Sequence, residues 1–349
     1  MAGIPTSIDE VTATWLAEAT GLAVEAVDVQ QVGQGIGVSS AVYRVRLQGE
    51  GCPETVVVKL PALDDAAVFT STVLSMYLRE VRFFGQLADQ SPIRVPRCHH
   101  ATSDEATSQF VIVMEDLSHL RVVDQIEGMA LADAERAVDG LAAWHATWWG
   151  KADALAEAGV TLSLGDPIYP AVVPMVFDEG WEKVDASGID IPASIRGVRP
   201  GFNDAIPRLL ADLAQPPTTM IHGDYRADNL VFCDDGAVAA FDFQLIGTGS
   251  GAYDLAYFTT QSLEADVFEA SEEALFERYR AGLAAGGVPA GDLDGLRERY
   301  RKAALFCLVY PIVASRGMDL DDPRQRELVA CMLRRFDGAV RILDLAELV

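Results

Sequence analysis

MIHGDYRADNLVF (220–232), continued by CDDGAVAAFDF (233–243), sets a histidine, several aspartates and an asparagine among short apolar runs. Asp235-Gly236 is the dipeptide of a tight two-residue hairpin loop, because a primed turn needs residues that tolerate positive φ. With 235 and 236 as the loop, Asp234 faces Ala237. Counting outward places Leu230 opposite Phe241 and Asn229 opposite Asp242. Directly opposed residues of an antiparallel pair lie about 4.5–5.5 Å apart with side chains on one face. An amide oxygen and a carboxylate are therefore expected side by side at the open end of the hairpin. Two such oxygen donors, with room for water and phosphate oxygens, suit a magnesium ion carried by a nucleotide. Asp224 lies in the loop feeding the hairpin, where a carboxylate can accept a proton from an attacking hydroxyl. The spacing points to phosphoryl-transfer chemistry.

Upstream, the pattern is strand-rich. Ser7 followed by Glu10 reads as a capping box opening a helix that Gly21 stops. GQGIG (33–37) precedes AVYRVRL (41–47), where Tyr43, Val45 and Leu47 alternate with Arg44 and Arg46 as in a half-solvated strand. A Gly-containing turn at 49–51 leads to TVVVKL, a β-branched run fit for a buried strand. Helical periodicity covers 73–88, and FVIVME (110–115) is a further strand. Downstream, helices are expected over 131–149, 203–213, 264–285, 292–315 and 323–346. The Pro- and Gly-rich stretch 160–200 gives no assignable pattern. The expectation is a β-rich domain over 1–115 and a mainly helical one over 116–349, with no repeats.

The bulk properties narrow the chemistry. With 349 residues, half of them apolar, the chain can bury a large core. Its 27 basic against 52 acidic residues, a net charge of −25, argue against a nucleic-acid surface. Five cysteines with no C-x-x-C pair argue against a disulfide framework or a zinc site. The start lacks a basic segment followed by an apolar run, and AALFCLVYPIVA (303–314) is too short to span a bilayer. No membrane partner is expected, and a cytoplasmic location is the simplest.

His222-Gly-Asp224-x-x-x-x-Asn229 followed by Asp242 resembles the catalytic loop and metal-binding aspartate of the aminoglycoside phosphotransferase-like and protein-kinase-like enzymes. Asp242-Phe-Gln244 and AYDLAYF (252–258) resemble more specifically the ecdysteroid kinase-like (choline-kinase-like) branch. The resemblance covers about residues 30 to 260 and follows the expected order. It implies an α+β, bilobal protein kinase-like fold, with a small antiparallel-sheet N-lobe and a mainly helical C-lobe. It also implies ATP and Mg2+ as cofactors and a small-molecule hydroxyl acceptor, such as an aminoglycoside, choline-like, sugar or steroid-like alcohol.

Carried over residue by residue, Asp224 would be the catalytic base and Arg226 a charge-neutralising group. Asn229 and Asp242 would be magnesium ligands, and Lys59 the α- and β-phosphate clamp with Glu80 as its helix partner. MEDL (114–117) would meet adenine through backbone groups at Glu115 and Leu117. The phosphate-facing segment would draw on Gly33, Gly35, Gly37 and Ser39, although it is not a G-x-G-x-x-G loop. Gln244 replaces the glycine of the protein-kinase motif and no activation-loop signature follows, so a protein substrate is not expected.

Plainer roles suit other positions. His222 is expected to brace its loop by hydrogen bonds, and His145, on a face with Ala134, Val138, Leu141 and Trp148, to pack in the core. Asp254 is read as a cap or loop brace, Asp228 as a solvated loop residue, and Asp116 as the cap of a following helix. A lysine within a buried strand needs a partner, so Lys59 must be paired or the strand must lie at an edge. The competing functions are a nucleotide-binding pseudokinase without phosphoryl transfer and a dimetal hydrolase using His222 and Asp224.

Overall fold

The computed structural model describes residues 3–32 and 39–349, so Gly33, Gly35 and Gly37 lie outside the described residues. The chain divides into two compact units. One comprises 1–90, 95–120 and 241–245, the other 91–94, 121–240 and 246–349.

The first unit opens with helix α1 (Ala13–Thr20) and strands β1 (Ala26–Val32), β2 (Ser40–Gln48) and β3 (Thr55–Pro61). Helices α2 (Asp65–Val73) and α3 (Met76–Gln86) and strands β4 (Cys98–Asp104) and β5 (Gln109–Glu115) follow. All pairings are antiparallel, in the order β1-β2-β3-β5-β4. The alternation in β2 decides its faces: Tyr43, Val45 and Leu47 are buried with Val56, Val58, Val111 and Val113 in one cluster. Leu16 of α1 closes that cluster.

The capping expectation needs correction. Ser7 makes no side-chain cap and precedes only a short 3-10 turn, Ile8–Glu10. Thr12 caps α1 by accepting from the Trp15 N–H, while Glu10 accepts from the Thr6 N–H instead. Gly21 does end the helix, in the left-handed conformation. Asp116 caps no helix either. It binds Arg44 Nε at 2.7 Å and the Ser118 N–H at 2.9 Å, fixing a turn.

The second unit is largely helical: α4 (Leu131–Trp148), α5 (Ala152–Glu157), α6 (Ile168–Ala186), α7 (Ala193–Leu213), α8 (Ala252–Ser262), α9 (Ala265–Ala285), α10 (Leu296–Phe306), α11 (Val309–Ala314) and α12 (Pro323–Ile342). Among these lie short strands β6 (Arg121–Val122), β7 (Leu162–Ser163), β8 (Thr219–Ile221), β9 (Leu230–Phe232), β10 (Val238–Ala240) and β11 (Gly247–Gly249). The stretch without an assignable pattern contains α6 and the start of α7. Pro174, Pro200 and Pro207 sit inside these helices. Each internal proline removes a backbone bond at a cost of about 3 kcal/mol. Buried Phe177, Val198, Phe202, Ile206, Leu209 and Leu210 supply apolar burial that offsets this.

The hairpin differs from the expected register by one residue. Val231 faces Ala239 and Leu230 faces Ala240, so the loop has three residues, 234–236. The Gly236 N–H bonds the Cys233 carbonyl at 2.9 Å, and Gly236 has φ +85°. A type I turn followed by a left-handed glycine gives this three-residue hairpin, which the Asp-Gly dipeptide alone does not distinguish from the two-residue kind. The ladder ends at Leu230 and Ala240, and the argument that opposed Asn229 to Asp242 through strand register does not hold.

Candidate active site

In the first unit, three side chains far apart in sequence meet. Lys59 on β3 is 4% exposed. Its Nζ donates to Glu80 Oε1 and Oε2 at 2.8 and 2.7 Å and to Asp242 Oδ1 at 3.0 Å. Burial works against the ammonium, but the carboxylates of Asp242 and Glu80 outweigh it and hold the Lys59 pKa well above the usual lysine range. Burial likewise pushes the Glu80 carboxyl up, against the pull of Lys59. The need for a partner is met twice over within a central strand.

Asp242 has φ +66°, a left-handed backbone uncommon for a non-glycine residue and characteristic of functional segments. The next residue anchors it: Phe243 stacks on Phe83 of α3 with centroids 3.8 Å apart, and its N–H bonds Glu80 Oε1 at 3.2 Å. Gln244 Nε2 reaches Asp242 Oδ2 at 3.3 Å, while its Oε1 accepts from Ser39 Oγ at 2.6 Å. Glu115 lies within β5 opposite Val56, with its N–H on the Arg97 carbonyl. Leu117, just beyond, accepts from the Leu120 N–H. Its own N–H finds no acceptor among the described residues.

In the second unit, the loop 222–229 is a self-bonded turn hung from helices. Asn229 Nδ2 donates to the Asp224 carbonyl at 2.9 Å and to Asp224 Oδ2 at 2.8 Å. Arg226 Nε reaches Asp224 Oδ1 at 3.2 Å, and its Nη1 reaches Asp228 Oδ2 at 2.9 Å. Asp228 is therefore more than a solvated loop residue, since its other oxygen also accepts from the Gln125 N–H. Tyr257, four residues beyond Tyr253 on α8, lies within electrostatic reach of Asp224. Burial, and then that carboxylate, push its phenol well above the usual tyrosine range.

Asp254, fully buried at the start of α8, accepts the His222 N–H at 2.6 Å and the Gly223 N–H at 2.9 Å. His145 Nε2 lies 3.1 Å from the same carboxylate, and its Nδ1 lies 2.7 Å from the Tyr279 hydroxyl. Farther along, the Tyr225 hydroxyl bonds the Ala137 carbonyl and the Ala227 N–H bonds Ser262 Oγ. His222 accepts from the Asp224 N–H through Nδ1. Asp254 and His222 thus brace the loop, as their sequence positions suggest, and His145 is both core and polar support. The contribution of Tyr279, Tyr257 and Tyr310, whose hydroxyl reaches the Gly223 carbonyl at 3.2 Å, was not legible. Only the i, i+4 spacing of Tyr253 and Tyr257 hinted at it.

Among the described residues, no group of three or more His, Cys, Asp or Glu side chains is arranged to hold a metal ion. No helix among them is long and apolar enough to cross a membrane, and all five cysteines are free.

The profile of the phosphotransferase enzyme family matches residues 29–298, most of the chain. The chain belongs to this family. It is a phosphotransferase with the mixed, protein kinase-like fold described above. Solved structures agree on the fold. Plasmodium vivax ethanolamine kinase aligns with a TM-score of 0.57 at 11% identity, over 92% of this chain and 84% of that one. Macrolide 2′-phosphotransferase from Brachybacterium faecium aligns at 0.50 and 19% identity, over 94% and 98%. An amicoumacin kinase in complex with AMP-PNP, Ca2+ and Ami aligns at 0.54 and 15% identity, over 90% and 88%. No curated protein sequence matches the phosphotransferase.

Proposed function

We propose that this phosphotransferase moves the γ-phosphate of ATP to a hydroxyl of a small-molecule acceptor, with Asp224 as the catalytic base. The observation that supports it best is the state of Asp224. Both of its carboxylate oxygens are held, one by Asn229 and the other by Arg226, on a loop whose backbone is pinned by a buried aspartate. A carboxylate fixed in this way accepts the proton of an incoming hydroxyl without first reorganising.

Lys59, kept protonated by its carboxylates, would clamp the α- and β-phosphates, with Glu80 holding it. Backbone groups of Glu115 and Leu117 would receive adenine, and the Leu117 N–H, which meets no acceptor among the described residues, would donate to it. Gly33, Gly35, Gly37 and Ser39 would supply the phosphate-facing segment. Arg226 would place positive charge beside the base. Asn229 and Asp242 would each offer an oxygen to magnesium: Asn229 spends its amide nitrogen on Asp224, and its oxygen makes no hydrogen bond among the described residues. Amide and carboxylate oxygens are the donors a hard cation takes. Magnesium, when bound, neutralises phosphate charge. In this reading the β-rich unit serves the nucleotide and the helical unit carries the base and the acceptor contacts. The resemblance to the ecdysteroid kinase-like branch, through Asp242-Phe-Gln244 and AYDLAYF, favours a choline-like or steroid-like alcohol over an aminoglycoside. Structural likeness to an ethanolamine kinase and to antibiotic kinases supports a small acceptor without choosing among them.

The test is ATP consumption across a panel of alcohols, with wild type and Asp224→Asn, in magnesium and in zinc. Turnover on at least one alcohol that needs magnesium and falls by about 10²–10⁴ in the variant is expected. Nucleotide binding with no turnover on any hydroxyl would make the protein a pseudokinase instead.

A further inference from the structure

Asp242, Phe243 and Gln244 make contacts in three different directions. Asp242 faces Lys59, and Phe243 is clamped on α3 by Phe83 and by the edge of Phe84. Gln244, 7% exposed, reaches Ser39, the residue before β2. Its amide is used at both ends. The oxygen accepts the Ser39 hydroxyl proton at 2.6 Å, and the nitrogen donates to Asp242 Oδ2 at 3.3 Å. Ser39 is itself tied to α2, since its carbonyl accepts from Ser71 Oγ at 3.3 Å. Asp242 Oδ1 is meanwhile on Lys59. One continuous set of bonds therefore runs from α2 through Ser39, Gln244, Asp242 and Lys59 to Glu80 on α3.

We propose that Gln244 is a positioning residue that couples the phosphate-binding segment at Ser39 to the metal-binding carboxylate of Asp242. It rests on the nucleotide and magnesium roles proposed above. With Oδ1 on Lys59 and Oδ2 on Gln244, the carboxylate plane is fixed before a cation arrives. A glycine here, as in the protein-kinase motif, offers neither end of the amide. The glutamine amide supplies both an acceptor for the Ser39 hydroxyl and a donor for the Asp242 carboxylate. The consequence is thermodynamic: magnesium should strengthen nucleotide binding partly through Gln244, and Ser39 should share that effect.

The experiment is titration calorimetry of ADP on the full chain, with magnesium and with EDTA. The readout is the ratio of the two affinities. Gln244→Met keeps the length of the side chain and removes both hydrogen bonds, and it should lower the ratio about tenfold. Ser39→Ala should lower it about threefold, and adding it to Gln244→Met should change nothing further, because the two act on one network. A wild-type ratio in folded Gln244→Met overturns the proposal, as does full additivity in the double variant. Where Gln244→Met fails to fold, Ser39→Ala decides, and an unchanged ratio there is equally fatal. Failure of wild type to bind ADP at all would instead overturn the nucleotide role itself.

Discussion

Lys59 is held by residues 21 and 183 positions away in sequence, whereas Asp224 is held by residues two and five positions away. The first arrangement is long-range, charged and desolvated. The second is a local turn whose precision comes from backbone bonds to a buried carboxylate. Removing a partner from the first strands a buried charge. Removing a partner from the second loosens an orientation. Stability should therefore report on the Lys59 network, and turnover on the Asp224 loop.

The largest effect is expected from Lys59→Met. Glu80 is 1% exposed, so loss of the ammonium leaves a buried carboxylate without its counter-charge, at about 3–5 kcal/mol. Urea unfolding of the two proteins measures it. Adding Glu80→Gln should recover part of the loss, because the stranded charge goes with it. The pH dependence has a definite sign. The folded-state pKa of Lys59 is raised above its unfolded value. Its contribution is fully present below about pH 10.4 and is lost as the pH climbs through the folded value. The stability gap to Lys59→Met should therefore be flat near neutrality and shrink in strong alkali. A gap that instead widened above that pH would refute the ion-pair account.

Asp254→Asn probes the other arrangement. An amide offers one oxygen where the carboxylate accepted two backbone N–H groups and faced His145, so about 1.5–3 kcal/mol of charge-assisted bonding is at risk. Because those N–H groups belong to His222 and Gly223, next to Asp224, kcat should fall by more than stability alone dictates while the KM for nucleotide holds. Steady-state kinetics at a temperature well below unfolding separates the two. An equal loss in kcat and nucleotide KM would mean that the two arrangements are not independent.

Short-range logic was readable in the sequence and long-range geometry was not. The interval from His222 to Asn229 marked a loop feeding the hairpin, with His222 as its brace, because those residues are close neighbours in any fold, although the bonds from Asn229 and Arg226 to Asp224 were not foreseen. The buried run ending in Lys59 demanded a partner on physical grounds, and the family resemblance named Glu80. The hairpin register was misjudged because Asp-Gly serves both two- and three-residue loops, and what separates them is the backbone at Asp234 and Asp235. Helix α6 and the start of α7, before the expected helix at 203–213, were invisible because proline density masks periodicity, and tertiary burial overrides that local signal. Nothing in the sequence announced that His145, one more apolar-face residue by its spacing, would meet both Tyr279 and Asp254.

That last contact gives the smallest and most selective perturbation. Gly251 precedes α8 with an ordinary helical φ of −61°, so backbone freedom does not require glycine there. Space does. A Cβ at Gly251 would lie 2.4 Å from the Tyr279 hydroxyl and 2.8 Å from His145 Nδ1, the two atoms whose bond ends the network behind Asp254. Gly251→Ala should therefore cost about 1–3 kcal/mol through overpacking. It should lower kcat by less than Asp254→Asn, because the carboxylate and its two backbone bonds remain. Adding Tyr279→Phe removes the atom nearest the clash, and recovery of stability without full recovery of kcat would show that the Tyr279–His145 bond orients the loop as well as fills space. Thermal unfolding and kinetics on the same three proteins decide it. Nucleotide affinity, which the proposed role of Lys59 would tie to its network, should stay at the wild-type value throughout, and any loss there would break the comparison between the two arrangements.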